Sequence, residues 1–414
     1  MELEEAQRLI AEAVREMRRA APEEGTRGSR VLTLVNAVLD TALAEEATDI
    51  HLEPMDGRLR IRLRVDGLLQ ERPIQFPSEL APVIIARLKV MAGIDTSKRN
   101  RPQDGQIRYV YGGRTIDMRV AVLPVVDGER MVVRIMDARE RFLSCTELGF
   151  TARNQELFER LIHRPTGLLL LCGPMNSGKT TTLYAALSAL NEPSCHIMTL
   201  EDPVERRIEG ISQFQVNPEA GLTFVTGLRA ALRQDAQKIL LGEIRDRETA
   251  EMAVRIALTG HALFSTLHTE DTVSAIFRMI EMGVPPYLLA ATLSGVIAQR
   301  LVRRVCDHCC ESYAVSADSH EAMQLGAMYH EELRLVRGRG CPHCHGSGYR
   351  GRMAIHEVLP VTERIRAEIL ETHDKAALRC AAEADGVETL WQDGVAKVLA
   401  GKTTLAEVGR AFYG

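Results

Sequence analysis

The sequence predicts an α/β fold in which a phosphate-binding nucleotide core, built on a parallel sheet, follows a small α+β domain. Three observations carry this expectation. Leu168 to Cys172 is a short apolar run, Gly173-Pro174-Met175-Asn176-Ser177-Gly178-Lys179-Thr180 reads G-x-x-x-x-G-K-T, and Thr181 to Leu187 has the pattern of a helix. Strand, glycine-rich loop and helix in that order make the pattern a site rather than a chance match. Apolar runs then alternate with helical stretches, as a parallel sheet with crossover helices requires. Nearer the start, Leu59-Arg60-Ile61-Arg62-Leu63-Arg64-Val65 alternates apolar and basic residues with period two, the mark of a strand with one wet face.

The chain has 414 residues, enough for two or three domains, and a net charge of -5, which disfavours a general nucleic-acid binder. Met1-Glu2-Leu3-Glu4-Glu5 is acidic where a secretory signal would be basic. The best candidate for a spanning helix, Tyr287 to Val302, is broken by Thr292, Ser294, Gly295, Gln299 and Arg300. A cytoplasmic protein is expected, and its nine cysteines are then unsuited to disulfides.

Taken in order, residues 2–20 have the spacing of a charged amphipathic helix, and Pro22 to Ser29 reads as a linker. A second helix is expected from Arg30 to about Glu46, followed by strands around Asp49 to Glu53, Leu59 to Val65, Arg119 to Pro124 and Met131 to Met136, with a hairpin turn at Asp66-Gly67. The arginines of this region (Arg60, Arg62, Arg64, Arg101, Arg108, Arg119, Arg134) read first as a solvated face, and second as groups of which a few reach a bound ATP. The expected organisation is a helix and linker over 1–29, a small α+β domain over 30–140, an interdomain linker over 141–150 and a nucleotide domain over 151–414. That last domain includes a zinc-binding subdomain over 301–352.

In the nucleotide domain, three expected strands end in polar groups. His196 to Leu200 leads into Glu201-Asp202-Pro203-Val204-Glu205, Ile239 to Leu241 into Gly242-Glu243, and Ala262 to Leu267 into His268. Ligand groups of open α/β sheets gather at the carboxyl ends of strands, so their convergence points to the phosphate site. Backbone N–H groups of the loop would face the phosphates, Lys179 would reach the terminal ones and the Thr180 hydroxyl would hold Mg²⁺. Glu243 would orient or deprotonate water, and Asp202, Glu201 and Glu205 would hold Mg²⁺ through its waters, with helix capping as their alternative role. His261 and His268 bracket the last strand as candidate sensors. Asn176 suits a left-handed backbone within the loop. Cys306-x2-Cys309 and Cys341-x2-Cys344 have the spacing of a closed structural Zn²⁺ site, with an excursion over about 312–338. Cys310, His308, His343 and His345 are rival ligands.

Gly173 to Tyr184, Thr199 to Glu205, Leu228 to Asp246, Thr259 to Thr269 and Gln299-Arg300-Leu301-Val302-Arg303 fall in the order seen in the type II secretion and type IV pilus assembly ATPases. Ala47 to Glu53, Arg101 to Gly105, Val126 to Arg130 and Cys341 to Arg352 extend the match, so that the chain resembles that family over roughly 30–370. The resemblance implies a RecA-like core, a PAS-like small domain and a homo-hexamer with ATP bound between the two domains. Gly173 to Thr181 would contact the nucleotide, Arg229 and Arg233 would serve its site, and Arg101, Arg108 and Arg119 would come from the small domain. It also implies work at the cytoplasmic face of the inner membrane. There an inner-membrane platform protein and associated assembly proteins would couple turnover to pilin or pseudopilin assembly, without nucleic acid. The tetracysteine pattern separates this branch from the similar retraction ATPases. The chain departs from the family at Asn176 for the usual Gly, at Ala236-Gln237-Lys238, and at Gln106 where Arg is common. A nucleotide-gated ring with little turnover and a nucleic-acid translocase are the alternative readings.

Overall fold

The computed structural model describes residues 24–136, 142–371 and 374–413, together with Arg8 and Glu12. The chain separates into two compact units, residues 1–140 and 141–414, each taken by itself below. Arg8 and Glu12 are helical and form an i,i+4 pair at 3.8 Å, while the rest of the helix expected over 2–20 lies outside the described residues.

The first unit runs α1 (Glu24–Ala44), β1 (Asp49–Met55), β2 (Arg58–Val65), β3 (Leu68–Pro77), α2 (Ala81–Met91), β4 (Gln103–Tyr111), β5 (Arg114–Val125) and β6 (Gly128–Met136). Its six strands lie in the order β3-β2-β1-β6-β5-β4, every neighbour antiparallel. The alternation in β2 is the reason: Leu59, Ile61 and Leu63 face the core formed with Leu34, Leu39, Ile84 and Leu88 of the two helices. Asp66 and Gly67 both have positive φ (49° and 83°), as a two-residue hairpin turn demands. Helix α1 begins at Glu24, so residues 24–29, expected as linker, are its first turns; Gly25 and Gly28 weaken a helix by about 1 kcal/mol each without ending it.

On the other face of this sheet the arginines of β2 are half-buried and paired, while Arg134 is exposed as a solvated face requires. Glu53 is almost buried and accepts from Arg60 and Arg62 and pairs with Arg130, at 2.7, 2.6 and 2.9 Å. Asp49 pairs with Arg134 at 2.9 Å and Arg64 at 3.6 Å. These arginines neutralise two acids of the neighbouring strand β1.

The second unit begins with residues expected as an interdomain linker. Ser144 caps a turn over Cys145–Glu147, and Cys145 and Leu148 are buried in the unit's core. There follow α3 (Ala152–Ile162), β7 (Gly167–Cys172), α4 (Lys179–Leu190), β8 (Ile197–Glu201), β9 (Ser212–Gln215), α5 (Phe224–Ala231), β10 (Lys238–Leu241), α6 (Arg247–Leu258), β11 (Ala262–Leu267), α7 (Thr272–Glu281), α8 (Pro286–Thr292) and β12 (Leu293–Val305). An excursion holds β13 (Cys310–Ala314), α9 (His320–Leu325) and β14 (Arg334–Gly338). The chain returns through β15 (Tyr349–Pro360) and closes with α10 (Glu363–Glu371), α11 (Lys375–Ala384), α12 (Leu390–Leu399) and α13 (Leu405–Tyr413). The seven-stranded sheet has the order β15-β12-β7-β11-β10-β8-β9, parallel except for β15 against β12. Strand β7, interior to this sheet, shows why the run Leu168–Cys172 is apolar throughout. Leu168, Leu170 and Cys172 enter the core on one face, Leu169 and Leu171 the core on the other. Among the described residues no helix is long and apolar enough to cross a membrane.

The last helices, which carry no sequence motif, are pinned to the sheet by charge. Glu407 of α13 accepts from Arg303 of β12 at 2.6 Å and from Arg410 at 2.8 Å, with its side chain 3% exposed. Burial pushes its pKa up, but the hydrogen bonds and charges of the two arginines outweigh burial and hold it at about 2. The folded value lies below the unfolded one, so this stabilisation is complete above about pH 4.5 and is lost as pH falls towards 2. Glu407→Gln leaves two arginines without a counter-charge and should cost about 3 kcal/mol, or roughly 6–12 °C in Tm for a domain of this size. Its acid limb between pH 4.5 and 2 should also flatten. Thermal unfolding followed across that range checks both, and an unchanged limb would contradict the pairing.

Candidate nucleotide site and cysteine cluster

The turn that leaves β7 is shaped by residues with positive φ: Gly173 (151°), Asn176 (60°) and Gly178 (86°). At Gly173 a side chain is excluded outright, because a Cβ there would lie 2.3 Å from the Gln299 carbonyl oxygen. Asn176 occupies the left-handed region that its residue type tolerates. Pro174 and Met175 are exposed, whereas Ser177 and Lys179 are buried. Lys179 folds back over the loop and donates to the carbonyls of Gly173 (2.8 Å) and Pro174 (2.9 Å). Burial lowers its pKa to about 8, and the charge of Glu243 partly opposes that. Thr180 and Thr181 are exposed on the first turn of α4, where backbone N–H groups lack helical acceptors.

The parallel register brings the ends of β8, β10 and β11 alongside. Gly242 N donates to Leu200 O at 2.8 Å and Ile244 N to Thr266 O at 3.0 Å, so Glu243 is suspended between the two neighbouring strands. His268 lies 3.3 Å from one Glu243 oxygen and Arg245 bonds the other. Arg245 also reaches Asp202 at 3.5 Å. Burial alone would raise the Glu243 pKa; the hydrogen bonds and charges of Arg245 and His268 prevail and hold it below the usual carboxylate value. Glu243 is therefore ionised at neutral pH, a strong acceptor and a weak base.

Glu201 sits differently. It is 4% exposed, bonded to the Tyr184 hydroxyl of α4, and accepts from Thr199 Oγ1 at 2.5 Å and Gln213 Nε2 at 3.2 Å. Its carboxylate braces α4 against β8. Glu205 is exposed beyond the strand end.

Other expected residues are not brought to this cluster. His261 precedes β11, beside Gly167 at the start of β7, with its ring 3.1 Å from Thr259 Oγ1. Six strand residues, about 20 Å of extended chain, separate it from His268, so the two histidines bracket the strand without sharing a site. Arg229 and Arg233 are exposed on and just after α5, where Arg229 meets Glu248 at 3.3 Å and Arg233 donates to Arg229 O at 2.9 Å. Arg101, Arg108 and Arg119 belong to the first unit; Arg101 and Arg108 are exposed, and Arg108 lies 3.4 Å from Asp117. Three residues with no assigned role from sequence enter the site region: Arg245, Tyr184 and Gln299. Arg245 carried a readable signal, since it follows Glu243 by two residues at a strand end.

Cys306, Cys309, Cys341 and Cys344 bring their sulfurs within 4.8 Å of one another. The pairs Cys306–Cys341, Cys309–Cys344 and Cys341–Cys344 measure 3.9, 3.8 and 3.7 Å. A tetrahedral ion with Zn–S bonds of about 2.3 Å would set sulfurs about 3.8 Å apart, so the geometry fits four thiolates. Backbone N–H groups of Cys341 and Gly348 donate to Cys344 Sγ at 3.1 and 3.2 Å. Of the rival ligands, Cys310, His308, His343 and His345 are exposed, and the rings of His308 and His343 stack on each other at 3.9 Å.

Residues 24–410 match the family described as Type II/IV secretion system protein. The chain is 45% identical to the type II secretion system protein E of Pseudomonas aeruginosa, over 92% of this chain and 75% of that one. It is 43% identical to the type IV pilus assembly ATPase PilB of Thermus thermophilus, over 90% of this chain and 42% of that one. Among solved structures it resembles the pilus retraction motor PilT with bound ADP, with a TM-score of 0.60 and 25% identity, covering 90% of this chain and 95% of that one. The fold also matches the ATPase DotB of Legionella pneumophila, with a TM-score of 0.67 and 20% identity over 95% of this chain and 97% of that one. The loop, the ionised glutamate beside its lysine and these likenesses agree: the chain belongs to the Type II/IV secretion system protein family and is an ATPase of the secretion and pilus-assembly class.

Proposed function

We propose that the chain hydrolyses ATP·Mg²⁺ at the loop Gly173–Thr181 as one subunit of a hexamer. Turnover would drive pilin or pseudopilin assembly through an inner-membrane platform protein and its associated assembly proteins, with the hexamer working at the cytoplasmic face of that membrane. The observation that carries this reading is the ionised Glu243, held between His268 and Arg245 and close enough to act on the charge of Lys179.

In this reading the phosphates replace the Gly173 and Pro174 carbonyls as partners of Lys179. The N–H groups of Gly178 to Thr181 line the anion side of the loop. The Thr180 hydroxyl would hold Mg²⁺, with the exposed Asp202 and Glu205 as the acids that would support it through water. The ion supplies charge neutralisation to the leaving phosphates. Glu201 keeps α4 in place through Tyr184. Glu243 accepts a hydrogen bond from the attacking water and orients it, which a carboxylate of low basicity does well. His268 fixes the Glu243 carboxylate at 3.3 Å and reports its state to the turn after β11. Arg229 and Arg233, being exposed, are available to serve the site across a subunit boundary, as are the exposed Arg101 and Arg108 and the half-buried Arg119 of the small domain. The four cysteines hold a structural Zn²⁺, which leaves no open coordination position for chemistry.

Glu243→Gln should lower steady-state ATP turnover by on the order of a hundredfold or more while leaving binding of a fluorescent ATP analogue nearly unchanged. Turnover equal to wild type would overturn the assignment. Because burial sets Lys179 near pKa 8, the dissociation constant for that analogue should rise about tenfold per pH unit above pH 8. A titration that stays flat to pH 9.5 would show that Lys179 keeps its proton. For the cysteines, elemental analysis should find one zinc per chain, lost in the pair Cys306→Ser with Cys341→Ser, and with it faster proteolysis within residues 306–348. Wild-type protein free of zinc would sink this part of the reading.

A further inference from the structure

Strand β12 is apolar along most of its length, and Val296, Ile297, Ala298 and Val302 are all buried. Gln299, in their midst, is 2% exposed. A buried amide costs stability unless each of its groups is bonded, so its partners say what it is for. Its Nε2 donates to the Ser177 carbonyl at 2.7 Å, in the middle of the phosphate loop. Its Oε1 accepts from Thr182 Oγ1 at 2.7 Å, in the first turn of α4. The two flanking glycines lean on the same residue: a Cβ at Gly173 would meet its carbonyl oxygen at 2.3 Å, and one at Gly178 its Nε2 at 2.7 Å. The Gln299 side chain thus meets the loop at its centre and its exit, while its backbone carbonyl lies against the entry.

The bond to Ser177 has a directional consequence. The Ser177–Gly178 peptide is planar and trans, so its C=O and N–H point in opposite directions. With the carbonyl drawn down onto Gln299, the Gly178 N–H is turned up, into the concave side of the loop. The Ser177 hydroxyl, whose residue is 3% exposed, has no partner among the described residues and lies towards Gly173, where a Cβ would meet it at 2.7 Å. We propose that Gln299 is a positioning residue for phosphate capture: through Ser177 it aims the Gly178 N–H at the nucleotide, and through Thr182 it fixes that peptide relative to α4.

This inference rests on the reading of the loop as the ATP site, and the test separates the two. Binding of a fluorescent ATP analogue is measured between pH 6 and 7.5 for the wild-type chain, Gln299→Glu and Gln299→Leu, with Tm recorded for each without nucleotide. Wild type should bind with little pH dependence. Gln299→Leu, which cannot donate, should weaken binding about tenfold or more at every pH, the loss of one oriented N–H to a charged ligand. Gln299→Glu keeps the shape and the acceptor for Thr182. It should be as weak at pH 7.5 and recover towards pH 6, where the buried carboxyl takes up a proton and can donate to the Ser177 carbonyl again. A wild-type chain that binds no analogue overturns the site itself. Wild-type affinity in Gln299→Leu overturns the role of Gln299 alone, since any defect of Gln299→Glu is then charge repulsion. Weakening that tracks a fall in Tm, with no recovery at pH 6, reduces Gln299 to a packing residue and overturns the proposal equally.

Discussion

The placement of β7 between two parallel neighbours is the constraint on which the nucleotide edge of the second unit depends. Cys172, its last residue, lies level with Leu267 of β11 and with Ala298 of β12. The next residue on each strand is therefore delivered to the same height: Gly173 opens the loop, His268 meets Glu243 and Gln299 supports the loop from beneath. A slip of one residue would turn each of these side chains to the opposite face, and a slip of two would carry them about 7 Å along the sheet. Leu168 to Leu171 would fill either face alike, so it is the glycine and polar residues at the strand ends, more than the apolar run, that make one register distinct.

Much of this was legible in the chain. The loop, the strand ahead of it and the helix behind it follow from one eight-residue pattern and its flanks, and Asp66-Gly67 announced its hairpin. What stayed hidden depended on which residues face each other across strands. Arg60 and Arg62 look unattached in sequence; only the register of β2 on β1 sets them against Glu53. Glu201 carries the chemistry of a metal-site carboxylate, yet as the last residue of β8 it shares a face with Thr199 and turns to Tyr184. His261 and His268 stand close in sequence, but a strand of six residues lies between them and sends its two ends to opposite edges of the sheet. The segment 142–150 has the look of a connector, and its apolar residues are informative only once the core they fill is known.

The two units treat charge in contrasting ways. On β1 of the first, Asp49 and Glu53 are each surrounded by arginines, and burial of the acids makes those pairs matter more than exposed ones would. In the second, Glu243 and Asp202 at the strand ends are partly open, and a single guanidinium, that of Arg245, spans them. The first arrangement consumes positive charge to complete a sheet. The second leaves Asp202 and Glu243 bridged by one guanidinium at the solvent edge of the sheet.

Strand β12 runs unbroken in sequence from the loop to the cysteines. Beyond Gln299 come Arg303, bound to Glu407, then Val305, whose N–H meets Lys402 O at 3.0 Å, and Cys306, whose N–H meets Gly348 O at 3.0 Å. Seven residues of strand span about 23 Å, and a strand flanked by partners over much of its length resists sliding along its own axis. Its pairing with β7 on one side and β15 on the other fixes it along its axis, so the loop and the cysteine knuckles are held at a set separation on one strand.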